Sequence, residues 1–351
     1  MTITTFIPVD TTATPLVMRA AIFQRFGSPE VVRVIDIPTP RPGPKDVLIR
    51  VAASTASAAD HRMRARDLPR GLGLLAAPVV GLFRPRRRVL GMDFSGTVEA
   101  AGADVASFRP GDEIVGMTGS AFGAHAEFLM LPESAAMVTK PSGLSHEDAV
   151  ALMFGGHTVS ECIRRRAINP GDEVLVNGAT GAVGSAAVQV AKHLGAHVTA
   201  VTSAGNAELV ASLGADFVID YGSKDFAAGH NTYNVIFDCV GNAPFERVGR
   251  VLKPGGTLLQ IVVDLKAMLG AKGDSRRSGK HVIPITFTPA AADVAFALRL
   301  NHEGGLEPVI DRTYDLDEIV EAHRYLDGGR KRGSVVLRVA RETAGASRRS
   351  R

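Results

Sequence analysis

The stretch GDEVLVNGATGAVGSAAVQVAKHLGAHVTAVT, residues 171–202, decides the fold. An apolar strand, EVLVN, runs into three glycines spaced three apart, Gly178, Gly181 and Gly184. A helical segment and a second strand, HVTAVT, follow. Against the pattern G-x-G-x-x-G the loop reads Ala179-Thr180-Gly181-Ala182-Val183-Gly184, with alanine for the first glycine. The pattern alone is weak; the strand before it, the helix after it and the enclosing strand–helix–strand unit strengthen it. Gly181 then lets the backbone approach a pyrophosphate, and Gly184 lets the helix pack close to the strand. The amides of Ala182 and Val183 face the anion at the positive end of the helix dipole. The competing reading is a glycine-rich turn of the kind any α/β protein carries.

Working outward, strands and helices alternate from residue 171 onward. NAELVASLG reads as a helix, DFVIDY and YNVIFDCVG as strands, FERVGRVL as a helix and GTLLQIV as a strand. Such alternation predicts right-handed crossovers and a parallel sheet covered on both faces. Upstream, Ser145 is an N-cap, with Glu147 and Asp148 in the first turn of a helix. Before it, RAAIF, VVRVIDI, VLIRVAAS, GTVEAAG, EIVGMT and AEFLML are short strands separated by Gly, Pro and Asp, as in a compact barrel-like β domain. The fold class is therefore α/β with a second, β-rich domain. KAMLGAKGDSRRSGKHV (266–282) is polar and glycine-rich and reads as a mobile surface loop. AAADVAFALRLNHEGGL reads as a helix, and residues 307–339 return to strand, helix and strand.

Length and composition agree with two domains. The chain has 351 residues, 45% hydrophobic and 22% charged. No apolar run approaches the roughly 20 residues that cross a bilayer. The N-terminus lacks a basic segment followed by an apolar one, so no secretory signal is expected and residues 1–17 read as a flexible extension. Two cysteines, Cys162 and Cys239, make neither a disulfide framework nor a four-thiolate zinc site. The expected compartment is the cytoplasm. Arginine clusters at 84–88, 164–166 and the C-terminus sit within a net charge of only +4. Without tryptophan or interleaved aromatics they read as solvated arginine rather than a nucleic-acid surface.

The second cofactor signal lies about 20 residues past the glycines, where an acid binds the ribose of NADH. Here the strand ends in Thr202-Ser203-Ala204-Gly205-Asn206, with no carboxylate. Ser203 and Asn206 can donate to a 2′-phosphate, which favours NADPH over NADH. They also serve as ordinary turn and cap residues.

With these residues in view, the chain resembles the medium-chain dehydrogenase/reductase superfamily, in its zinc-free quinone-oxidoreductase (zeta-crystallin-like) branch. The resemblance runs from about Met18 to Val339. It rests on FGSPEVVRVIDIPTPRPGPKDVLIRV, GMDFSGTVEAAGADVASFRPGDEIVG, AEFLMLPESAAMVTKPSGLSHEDAVAL, NGATGAVGSAAVQVAKHLGAHVTAVTS and the closing EAHRYLDGGRKRGSVVLRV. It implies a GroES-like β domain (18–145, completed by 306–340), an inserted Rossmann domain (146–305) and a disordered tail (341–351). The active site would lie in the cleft between the domains of a homodimer. By the same resemblance Thr158 stands near the nicotinamide and Tyr221 near the adenosine phosphate. Val240, Gly241 and Asn242 would lie along the nicotinamide ribose. Ile261 and Phe287 would flank the nicotinamide, and Arg332 would close over the cofactor.

Two departures bear on chemistry. Zinc-dependent relatives carry ligands where this chain has Met92, Ser54, Ser57 and Ala58, and a four-cysteine lobe is missing, so no metal is expected. Related reductases carry VNP-x-D and an aromatic where this chain reads Ala56-Ser57-Ala58-Ala59-Asp60-His61. Ser57 and His61 are the candidate catalytic residues, with His61 either an acid or a packing histidine. The resulting expectation is hydride transfer from NADPH to a small-molecule quinone or α,β-unsaturated carbonyl. The competing function is a non-catalytic NADPH-binding sensor or scaffold. The insertion LPRGLGLLAAPVVGLFRPRRR (68–88) would shape acceptor choice as a packed helix or a lid.

Overall fold

A computed structural model describes residues 14–229, 232–286 and 288–340. The described residues begin with strands β1 (Val17–Phe23), β2 (Val32–Pro38) and β3 (Asp46–Ala56), then helices α1 (Ala58–Ala65) and α2 (Ala77–Val80). Strands β4 (Asp93–Ala101), β5 (Glu113–Met117), β6 (Phe128–Pro132) and β7 (Ala136–Thr139) complete the β-rich part. Helix α3 (His146–Arg165) leads into β8 (Glu173–Asn177), α4 (Ala182–His193), β9 (His197–Thr202), α5 (Ala207–Ser212) and β10 (Phe217–Asp220). The second half runs β11 (Tyr233–Asp238), α6 (Phe245–Val248), β12 (Leu252–Gln260), α7 (Leu265–Ser278), β13 (His281–Pro284) and α8 (Ala291–His302). Last come β14 (Ile310–Asp315), α9 (Ile319–Asp327) and β15 (Ser334–Arg338).

Six strands form one sheet in the order β10-β9-β8-β11-β12-β13, and every pair is parallel. The order reverses between β8 and β11. A doubly wound sheet opens a crevice at such a reversal, beyond the carboxyl ends of its strands. A second sheet, β14-β15-β3-β4-β5-β7 with β6 on β3, is largely antiparallel. The last described strand, β15, pairs antiparallel with β3 and closes the β unit. The fold class is thus α/β, with a GroES-like β unit beside a Rossmann-type parallel sheet. Val17, which sequence grouped with the extension, pairs with Pro38. Residues 1–13 and the tail at 341–351 lie outside the described residues.

Helix α3 is the spine. Ser145 caps it, accepting from the Asp148 amide at 3.0 Å, and most of its length is buried. Gly155 lets it touch the start of α4, since a Cβ there would lie 2.4 Å from the Ala182 carbonyl. The sheet core joins α3, α4 and α8 through Val174, Val176, Ala187, Val190 and Phe237.

One stretch departs from the sequence reading. Residues 265–278 form α7, not a mobile loop. Gly270 and Gly273 suggested a break because each interior glycine costs about 1 kcal/mol of helix propensity. Asp264 caps the helix through the Ala267 amide at 2.8 Å, and Gly279 ends it at φ 67°. Ala271 is buried against the sheet, and the Val282 amide donates to Ser275 Oγ. Tertiary contact and capping outweigh the two glycines. In the 68–88 insertion the helix is only the four-residue α2, and Leu74, Leu75, Leu82 and Phe83 are exposed.

Candidate active site

The glycine loop leaves β8 at the crevice. Gly178 takes φ +80°, and a Cβ there would come within 2.6 Å of Val240. The tight-turn glycine is therefore Gly178, one residue earlier than the pattern places it. Ala179, fully buried and without positive φ, fills the core instead. At Gly184 a Cβ would sit 2.1 Å from the Gly178 carbonyl, so only glycine allows α4 to start this close to the turn. Gly181 is the N-cap of α4, with no side-chain cap and no acid in the first turn. A Cβ on Gly181 would meet nothing nearer than 3.8 Å. The amides of Ala182 and Val183 thus open the helix without an intrahelical acceptor, beside a cavity of about 140 Å³.

The opposite wall is held by one carboxylate. Asp238, at the end of β11, accepts from the amides of Val240, Gly241 and Ala243 and from Asn177 Nδ2, at 2.9–3.2 Å. Asn177 also donates to Asn242 Oδ1 at 2.7 Å. The loop 239–243 is thereby fixed in front of the sheet, with Gly241 at φ +88°. Ile261 and Cys239 line the cavity. Burial holds the Cys239 thiol well above its ordinary pKa, so it stays protonated. Phe287 lies outside the described residues.

The β unit supplies the third side, with Thr55, Ala56, Ser57, Ala58, Arg62 and Lys331. The Gly333 amide donates to the Thr180 carbonyl at 2.6 Å, which clips the return before β15 onto the glycine loop. Lys331 Nζ donates to the Gly333 carbonyl at 2.7 Å, and burial pushes its pKa down to about 8. An ammonium held at reduced stability beside a helix N-terminus is suited to an anionic ligand.

At the far end of the crevice, Ser203 Oγ accepts from Asn206 Nδ2 at 3.1 Å, next to buried Thr202 and exposed Tyr221. The turn lacks charge in sequence but not in space. Arg332 reaches the Gly205 carbonyl at 3.5 Å, bringing a guanidinium to it. Asp220, from the neighbouring strand, accepts from the amides of Ala204 and Gly222. The turn's own residues carry no acid, as the sequence has it, and the carboxylate that Asp220 brings beside it is occupied by those amides.

Of the two candidate catalytic residues, Ser57 lines the cavity and caps α1 by bonding Asp60. His61 does not line it. Its Nδ1 lies 2.7 Å from Asp327 on α9, and its Nε2 lies 3.3 Å from Asp67. Asp327 is held in turn by buried Arg64. At helical spacing His61 faces α9, and Arg62 is the neighbour turned to the cleft. Asp93 accepts from Thr55 Oγ1 at 2.6 Å and its Oδ1 has no partner. Burial raises its pKa to about 7, against the Thr55 bond, with the Asp60 charge adding to the rise. Thr158 spends its hydroxyl on the Phe154 carbonyl of its own helix, and Phe154 is the α3 residue at the cavity. Phe154, Arg62 and Lys331 escaped the sequence reading. Phe154 lies one turn before Thr158, and Lys331 directly precedes Arg332, so spacing alone could have suggested both.

The comparisons agree with this geometry. Residues 43–142 match the alcohol dehydrogenase GroES-like domain, and residues 213–337 match a zinc-binding dehydrogenase model. A 2-methylene-furan-3-one reductase of Solanum lycopersicum is 30% identical over 338 residues, covering 92% of this chain and 79% of that protein. The chain belongs to the medium-chain dehydrogenase/reductase superfamily, in its quinone-oxidoreductase branch. Members of this superfamily are oxidoreductases that bind a nicotinamide cofactor. A quinone oxidoreductase from Coxiella burnetii superposes with a TM-score of 0.82 at 27% identity, covering 92% of this chain and all of the other. A mycobacterial protein solved with NADPH gives 0.76 at 26% identity, again over 92% of this chain and all of that one. Among the described residues of this dehydrogenase/reductase, no three His, Cys, Asp or Glu side chains are grouped to hold a metal ion. No described helix is long and apolar enough to cross a membrane.

Proposed function

We propose that the chain is an NADPH-dependent reductase that delivers hydride, without zinc, to quinones or α,β-unsaturated carbonyls. The observation that carries this reading is the uncapped N-terminus of α4. It opens with no acid and an open Gly181 into a cavity walled by the β unit. When bound, the reduced nicotinamide supplies the hydride; the chain's own residues bind, orient and shield. Ala182 and Val183 amides and the Lys331 ammonium take the pyrophosphate. Ser203, Asn206 and Arg332 take the 2′-phosphate, with Thr202 and Tyr221 beside the adenosine ribose. Val240, Gly241 and Asn242, pinned by Asp238 and Asn177, align the nicotinamide ribose. Ala56, Phe154 and Ile261 keep water from the ring.

The donor set beside the cavity does not suit tetrahedral zinc. Met92 is a thioether, Ser57 is bonded to Asp60, and Asp93 is turned to Thr55. Conjugated acceptors need no Lewis acid to take hydride, and the balancing proton comes from water. Names of relatives lean the same way, towards a furanone reductase and quinone oxidoreductases. The test is steady oxidation of NADPH by the purified chain across simple quinones and enones. Turnover with members of both classes is expected. Tight NADPH binding without turnover on any of them would replace the enzyme with a non-catalytic NADPH-binding protein.

A further inference from the structure

Arg62 borders both the glycine-loop cavity and a larger adjoining cleft of about 630 Å³. The carboxylates on the wall of that cleft all have donors. Asp238 holds loop amides, Asp264 caps α7 and Asp274 pairs with Arg277. Glu246 lies 4.0 Å from Lys266, and Asp67 lies 3.3 Å from His61. Arg62 is different. Among the described residues its side chain makes no ion pair or hydrogen bond, and Asp67 acts on it only through space. Burial lowers its pKa, as desolvation does to a cation without a close counter-charge. Exposed Arg70 stands on the same wall.

A guanidinium cannot shed its proton to escape such a site, so the favourable partner is an anion brought by a ligand. The position favours the acceptor over the cofactor. The phosphate groups already have the α4 amides, Lys331 and Arg332, whereas Arg62 lies on α1, where the cavity beside Ser57 opens into the larger cleft. We infer that Arg62 anchors an acidic group on the acceptor, making the preferred substrates enones or quinones that carry a carboxylate near the conjugated system. This rests on the reductase reading above and narrows its substrate class.

The test compares 4-carboxybenzylideneacetone with its methyl ester as acceptors, in the wild type, Arg62→Gln and Arg62→Lys. The ratio of kcat/KM, acid over ester, should fall about 10- to 100-fold in Arg62→Gln, mostly through KM. Arg62→Lys should recover part of it. An unchanged ratio, or an equal fall in kcat on both acceptors, overturns the anchor. Calorimetry with 2-naphthoate on the NADPH-loaded protein gives a readout independent of turnover. Binding that weakens in Arg62→Gln and partly returns in Arg62→Lys upholds the anchor, and equal binding in all three sinks it. Absence of turnover with either acceptor would count against the reductase reading alone, with the naphthoate titration still deciding Arg62.

Discussion

At the scale of single residues, burial fixes the state of groups behind the cavity wall as well as on it. Asp93 is the clearest case. Burial holds its carboxyl up at about 7, against an ordinary value of 3.8. The folded protein keeps a proton that the unfolded chain has lost, so this residue's contribution to stability falls as pH rises from about 4 to about 7. The loss is then complete and amounts to about 4 kcal/mol at most. Asp93→Asn removes the titration and keeps an acceptor for Thr55. Urea midpoints at about pH 5 and about pH 8 should show the variant gaining on the wild type at the higher pH. A gap that does not change with pH would mean that Asp93 is already ionised in the fold. Gly184 was legible from spacing, because close helix–strand approach is a local demand. Arg62 and Asp220 were not, because their meaning comes from elements that meet only in the folded chain.

Among elements, α4 and α7 are opposite lessons. The start of α4 could be read because strand, glycines and helix follow in one continuous segment. Helix α7 was misread, since its two glycines outweighed a cap at Asp264 that sequence gave no reason to trust. Gly270 makes the correction testable. A Cβ there would meet only Asp274 Oδ2, at an ordinary 3.6 Å. Gly270→Ala should therefore stabilise the protein by about 0.5–1 kcal/mol, seen as a higher unfolding midpoint. A loop over these residues would give no such gain. His61 teaches the same lesson at the end of α1. Its neighbour Arg62 faces the cleft, and a helix boundary read to within a residue or two cannot decide between them.

For the whole molecule, the alternation of strands and helices was enough to foresee a parallel sheet, and the strand-order reversal between β8 and β11 located the crevice. By resemblance the C-terminal segment belongs to the β unit and Arg332 closes over the cofactor, but the contact that holds this return against the glycine loop was not legible. The C-terminal return clips Gly333 onto Thr180 and brings Lys331 and Arg332 over the crevice from more than a hundred residues away. The β unit thus completes a cleft that the parallel sheet only begins. Zinc-free reduction requires hydride to reach carbon without a metal. The measurement is label transfer from NADPH deuterated at C4 to benzylideneacetone, using protein dialysed against EDTA. Deuterium is expected at the β-carbon of the saturated ketone, at a rate the chelator does not change. Product without the label, or turnover lost on dialysis and restored by zinc, would contradict zinc-free hydride transfer.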